Sequence, residues 1–208
     1  MKKFYNLILL DESGSMDCIR RSALSAMNET IQTIKRVQKE HNEHEHSVTF
    51  VTFSGRGTEG VKFICLNVPV EAMRKLRITD YFPDGCTPLY DAIGSAVETL
   101  EKLVTEDDVV LVSVITDGQE NSSSKFSGSQ IRDLIGRKKG CGWTFTYMGA
   151  NQDSAYVARN IGIVNALDFE ASEEGVCNLM EKYTHSYASF CCRADSMISD
   201  QYFFKEGE

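Results

Sequence analysis

Residues 109–115 read VVLVSVI and run straight into Thr116-Asp117-Gly118. A strand with one wet face alternates polar and apolar side chains. A strand that is apolar throughout must be covered on both faces, as in a parallel sheet flanked by helices. Residues 4–10 form a second apolar run, interrupted by Asn6 and ending at Asp11-Glu12. The pair points to a sheet buried between two helical layers.

The rest of the chain agrees with that requirement. Ala23, Leu24, Met27, Ile31, Ile34 and Val37 recur at spacings of three and four, marking one face of a helix packed on a sheet. Residues 48–53 and 61–66 are rich in strand-forming types and flank Ser54-Gly55-Arg56-Gly57, which predicts an antiparallel pair joined by a turn. A loop with Pro83, Gly85 and Pro88 leads into a second helix carrying Leu89, Ile93, Val97, Leu100 and Leu103. After residues 109–115 come a Ser-rich loop, a helix with Ile131, Leu134 and Ile135, and a strand over 143–148. A short helix over about 153–160, a short strand near Ile163 and a last helix with Leu179, Met180, Tyr183 and Tyr187 complete the order. Strands alternating with helices imply right-handed crossovers. The expected fold is α/β: three layers, a Rossmann-like doubly wound, mostly parallel sheet with one antiparallel edge strand, and helices on both faces. Residues 1–192 are expected to form one domain. Residues 193–208 form a tail without clear period, whose Tyr202-Phe203-Phe204 can dock on the body or on a neighbour.

Composition narrows the function. The net charge is -8 from 30 acidic and 22 basic residues, with no basic stripe of the kind that displaces counterions from phosphates, which argues against nucleic acid. Met1-Lys2-Lys3 followed by an apolar run resembles the start of a signal peptide, but Asn6 interrupts it, Asp11-Glu12 ends it and no small-residue cleavage site follows. No later run approaches the roughly 18 apolar residues of a membrane span. A cytoplasmic chain is expected, in which the seven cysteines are free buried thiols and the Asn121 sequon carries no glycan.

Ligands of such sheets bind beyond the carboxyl ends of the strands, where strand order reverses. Three polar clusters fall at expected strand ends: Asp11-Glu12-Ser13-Gly14-Ser15, Gly85-Cys86-Thr87-Pro88 and Thr116-Asp117-Gly118. Asp11, Ser13 and Ser15 alternate, so one backbone path can aim their oxygens the same way. An oxygen-only donor set suits a hard cation such as Mg²⁺, with Mn²⁺ or Ca²⁺ as substitutes. Two carboxylates among neutral hydroxyls would leave the ion with residual positive charge for an outside anion.

The tract DESGSM resembles the D-x-S-x-S element of the metal-ion-dependent adhesion site in von Willebrand factor A and integrin I domains, and Thr87 and Asp117 match that site's two later ligands. GCTPLYDA resembles the family's G-G-T-x-x-x-x-A, with Cys86 where a second glycine is common. The resemblance extends over nearly the whole chain. It implies that Ser13, Ser15 and Thr87 touch the metal through hydroxyls and that Asp11 and Asp117 act directly or through waters, Thr87 and Asp117 trading places as ligand enters. It further implies a protein-interaction module that grips a partner's Asp or Glu carboxylate. Similar bacterial cytoplasmic proteins work beside ATPases, kinases or phosphatases in stress-response assemblies.

Two alternatives compete with this reading. An aspartate after a first strand is also similar to the nucleophile of Mg²⁺-dependent phosphohydrolases of the haloacid dehalogenase type. Those need a general acid two residues on, where this chain has Ser13, while Lys125 and Lys138 are the lysines available for a phosphate. The other is a structural module with a vestigial site. No catalytic constellation is evident. Ser15 as a helix N-cap explains one serine and leaves Asp11, Thr87 and Asp117 unexplained. His41-Asn42-Glu43-His44-Glu45-His46 holds zinc-type donors, but a solvated loop is the expected state. Cys86 is expected to be a small buried residue, and Cys191-Cys192 two reduced thiols at a helix end.

Overall fold

The computed structural model describes residues 1–55, 60–151, 153–195 and 202–204. Six strands form one sheet: β1 (Lys2–Asp11), β2 (His44–Phe53), β3 (Val61–Pro69), β4 (Val109–Thr116), β5 (Thr144–Ala150) and β6 (Asn165–Phe169). Their spatial order is β3-β2-β1-β4-β5-β6, with only the β2/β3 pair antiparallel. The chain therefore winds to one side of β1 and then to the other, and β1/β4 is the point of reversal. Among the described residues, α-helices α1 (Arg20–Glu40), α2 (Leu89–Leu100), α3 (Gly128–Gly140), α4 (Ser154–Asn160) and α5 (Glu173–Asp195) cover it.

Each face of the sheet has its own core, because side chains alternate along a strand. From β1 and β4, Phe4, Ile8, Leu10, Leu111 and Ile115 face α1 and α5. Tyr5, Leu7, Leu9, Val110, Val112 and Val114 face α2, α3 and α4. The apolar stripe of α1 from Ala23 to Val37 is buried, as its spacing predicts. Leu89, Ile93, Val97 and Leu100 of α2 are buried likewise, whereas Leu103 lies in a 3₁₀ turn and is 40% exposed. The strand expected near Ile163 is β6, beginning two residues later, with Ile163 itself buried in the preceding turn. Gly162 takes φ +83 there, a left-handed turn that delays the strand.

α5 runs three residues beyond Cys192, and Phe203 folds back against Tyr183 and Phe190 while its N–H donates to Asn165 Oδ1 (2.7 Å). Tyr202-Phe203-Phe204 thus dock on the body through Phe203.

Three expectations need correcting. His44 and His46 are not in a solvated loop but open β2, 2% and 0% exposed. The Asn6-Tyr187 layer beneath α5 gives His46 a polar partner, which makes its burial tolerable: its Nδ1 lies 2.9 Å from the Tyr187 hydroxyl, which donates to Asn6 Oδ1 at 2.8 Å. Cys86 is exposed. The seven cysteines form no disulfide, as expected, but only Cys191 is buried. Among the described residues no helix is long and apolar enough to cross a membrane.

Candidate functional site

Asp11 is the last residue of β1, and Leu10 pairs with Ile115 of β4, so the two strands deliver Asp11 and Thr116 side by side. Thr116 Oγ1 donates to Asp11 Oδ2 (2.5 Å) and accepts from the Gly118 N–H (3.0 Å), which folds the chain sharply after β4. Asp11 Oδ1 accepts from the Ser13 N–H (2.7 Å). The 3₁₀ turn Gly14–Ile19 then presents Ser15, whose hydroxyl donates to Asp117 Oδ1 at 2.6 Å and stands 3.2 Å from Ser13 Oγ. Ser15 caps no helix: α1 begins at Arg20, and neither Ser13 nor Ile19 supplies a side-chain cap.

Thr87 arrives from the loop before α2, which is pinned to the β1 end by a set of hydrogen bonds to backbone groups. Tyr81 Oη donates to the Asp11 carbonyl (2.5 Å), Asp84 N–H to the Glu12 carbonyl (2.9 Å) and Gly14 N–H to the Gly85 carbonyl (3.0 Å). The left-handed turn of this loop falls on Gly85, at φ +81, so Cys86 needs no unusual backbone and the missing second glycine is tolerated. Asn121 Oδ1 holds the Thr87 N–H (2.8 Å). A Cβ added to Gly118 would stand 2.8 Å from Thr87 Oγ1 and 3.5 Å from Asp11 Oδ2, so only glycine lets these loops close up.

All five oxygen-bearing side chains singled out in the sequence, Asp11, Ser13, Ser15, Thr87 and Asp117, thus gather at the carboxyl edge of the sheet beside the point of strand reversal. Asp11, Ser13 and Thr87 are buried, Asp117 is half-buried and Ser15 exposed, giving a polar floor with an open mouth. Burial pushes the Asp11 carboxyl up to about 6 against the pull of the Thr116 and Ser13 hydrogen bonds, and the charge of Asp117 adds to the rise. Burial raises Asp117 as well, opposed by the Ser15 hydroxyl. Two carboxylates that resist ionisation side by side are a natural seat for a cation. The oxygen-only donor set fits a hard divalent ion.

Several supporting residues carry no sequence signal of their own. Thr116 orients Asp11 and Asn121 orients Thr87. Asp91, buried in α2, accepts the N–H groups of Ser124, Lys125 and Phe126 at 2.9 Å each and fixes the Ser-rich loop after Asp117. Glu120 receives the Tyr90 N–H (2.9 Å) and ties that loop to the start of α2. Only the packing of loops from three crossovers exposes these roles.

The von Willebrand factor type A domain model matches residues 7–179. The chain belongs to that family. No curated protein matches it in sequence. Among solved structures it is similar to proximal thread matrix protein 1 from the mussel byssus, at TM-score 0.62 and 18% identity over 90% of this chain and 46% of that one. A further structure of the mussel protein, with a zinc-occupied MIDAS motif, matches at TM-score 0.61 and 19% identity, with the same coverage. The pilus adhesin SpaC from Lactobacillus rhamnosus GG, in an open conformation, matches at TM-score 0.70 and 12% identity over 91% of this chain and 30% of that one. The chain spans less than half the length of each of these proteins. At such identities the likeness is one of fold, and the von Willebrand A fold is the one observed. Domains of this family bind divalent metal at the adhesion-site motif and mediate protein–protein interactions.

Proposed function

We propose that this von Willebrand A domain is a divalent-cation-dependent protein-interaction module. Asp11, Ser13, Ser15, Thr87 and Asp117 hold one Mg²⁺, and a partner's Asp or Glu carboxylate completes its shell. The observation that carries this reading is the convergence of two carboxylates and three hydroxyls from three loops, with Ser15 joined to Asp117 at 2.6 Å across them. The bound ion would supply residual positive charge at the mouth of the site. Around it, Thr116 and Asn121 hold Asp11 and Thr87 in place, and the exposed Ser15 marks the side from which a partner approaches. A single charged anchor of this kind contributes specificity, and the surrounding surface contributes affinity.

A phosphohydrolase is less well supported. Ser13 stands where the general acid is needed, and it touches Asp11 through its backbone N–H. Lys138 is engaged by Glu101 and lies 5.2 Å from the Trp143 ring, at the opposite edge of the sheet.

Mg²⁺ titration monitored by thermal unfolding, paired with pull-down from the native cell in Mg²⁺ and in chelator, tests the reading. Millimolar Mg²⁺ is expected to raise Tm, and some captured proteins are expected only with the metal. Identical captures under both conditions would sink metal-bridged recognition. Mg²⁺-dependent phosphomonoester turnover abolished by Asp11→Asn would favour the enzyme instead.

A further inference from the structure

We propose that His41, Glu43, His44 and Cys192 form a second cation site, of the zinc class, at the amino edge of the sheet. It lies far from the carboxyl-edge oxygens. β1 and β2 run in register from Lys2↔His44 to Asp11↔Phe53, and nine residue steps at about 3.3 Å separate the two ends by roughly 30 Å.

The donors come together through backbone geometry. His41 caps the carboxyl end of α1, its N–H still bonding the Val37 carbonyl, and the His44 N–H bonds the His41 carbonyl (3.0 Å), a tight turn that brings both imidazoles to one side. Their rings stack with centroids 4.7 Å apart and planes 5° from parallel. Glu43 Oε1 lies 3.5 Å from His41 Nδ1 and 3.9 Å from His44 Nε2, and one donor atom from each of the three residues falls within 4.8 Å of the others. The last turns of α5 bring Cys192 Sγ to 3.9 Å from His41 Nε2.

With Zn–N of about 2.0–2.1 Å and Zn–S of about 2.3 Å, neighbouring donors in a tetrahedron stand roughly 3.3–3.8 Å apart. The His41–Glu43 contact already falls in that range, and the others, at 3.9 Å and above, must close by small side-chain movements as the ion enters. Only one His41 nitrogen can bind, and rotation of its partly exposed side chain selects which. Two imidazoles, one carboxylate and one thiolate favour zinc over magnesium, and the two anionic donors match the ion's charge. The His44 side chain is fully buried and gives the site a rigid wall, while Glu43 and Cys192 lie at the surface, where an ion can enter. His46 is not part of the set: its ring stacks on Phe4 at 4.5 Å, and its Nδ1 faces Tyr187. A metal here would join the end of α1, the start of β2 and the carboxyl end of α5, locking the last helix to the sheet from below.

The test uses the full chain, titrated with Zn²⁺ by calorimetry and with Co²⁺ by thiolate-to-metal charge-transfer absorption. Wild type is expected to bind one ion that produces the band, releasing the thiol proton as it does. Cys192→Ser should remove the band. His41→Ala should weaken the band-forming site by more than the roughly 10–100-fold that loss of an outer hydrogen-bond partner costs. Both positions are at least partly exposed, and far-ultraviolet melting curves check that the variants fold. Asp117→Asn should leave band and affinity unchanged, which separates this site from the carboxyl-edge one. A wild-type chain without the band, a band that survives Cys192→Ser, or an affinity unchanged by His41→Ala overturns the proposal.

Discussion

The carboxyl edge of the sheet and the layer beneath α5 both bury polar side chains, and they do so in opposite ways. Beneath α5, hydroxyl, amide and imidazole groups answer one another. Tyr187 joins His46 and Asn6, Tyr183 Oη lies 3.1 Å from Ser113 Oγ, and Thr146 donates to Ser113 at 3.1 Å. That row crosses four adjacent strands and fixes the position of α5 with no formal charge required. At the carboxyl edge two like-charged carboxylates, Asp11 and Asp117, share one cluster with hydroxyls as their nearest side-chain partners. A network bonded among its own members holds structure together, whereas a cluster whose charges do not cancel is suited to an outside ion.

The sharpest way to break this contrast is Asp11→Asn. It is expected to abolish the Mg²⁺-induced rise in stability, which for wild type amounts to about 2.7 kcal/mol when metal stands at 100 times Kd. The metal-free variant should be no less stable than wild type, since an amide is spared the cost of a buried carboxylate. Differential scanning fluorimetry with and without Mg²⁺ reads both effects. If the variant still responds to metal, the cation reading of the carboxyl edge fails. Thr116→Val removes the hydroxyl that orients Asp11, and calorimetry should show Mg²⁺ affinity falling roughly 10–100-fold with the fold intact.

Tyr187→Phe should act the other way. It deletes the hydroxyl between His46 and Asn6 and is expected to cost about 1–3 kcal/mol in urea unfolding while leaving the Mg²⁺ response unchanged. A loss of Mg²⁺ affinity in that variant would mean that the two regions are coupled.

The carboxyl edge also predicts an effect of pH. The Asp11 carboxyl titrates at about 6 in the folded chain against 3.8 as the ordinary value, so the folded state holds that proton more tightly. Its contribution favours folding below about 4 and is lost as pH rises through about 6. In chelator, wild type minus Asp11→Asn should therefore lose stability between those values. In Mg²⁺ the sign reverses, because the proton competes with the ion and affinity falls as pH drops below about 6. A flat difference curve in chelator would show that burial does not perturb this carboxyl.

Legibility in the sequence followed the range of the interaction. The strand of residues 109–115 and the helix stripe from Ala23 to Val37 were readable because burial on a sheet imposes a local period on adjacent residues. Asp11, Ser13 and Ser15 were readable because they alternate along one short loop, and Thr87 and Asp117 because the resemblance to the family's motif singled them out beside expected element ends. Thr116, Asn121 and Asp91 were not, since a threonine at a strand end, an asparagine in a Ser-rich loop and an aspartate in a helix are all ordinary until the fold shows what each touches. The histidine tract misled for the same reason. Its polar composition indicated solvent, and its burial depends on Phe4, 42 residues upstream, and Tyr187, 141 residues downstream of His46.

The sequence by itself determined the layered α/β architecture, because it is written in spacings of a few residues that elementary periodicity translates directly, and its resemblance to von Willebrand factor A domains named the members of the carboxyl-edge oxygen cluster. Tertiary structure alone decided which polar groups face one another across β1, β4 and the loop before α2, and it alone brought Cys192 to His41 across 151 residues. Such contacts are settled by strand order and by the path of α5, and no local pattern encodes the distance between residues that meet only after the sheet has closed.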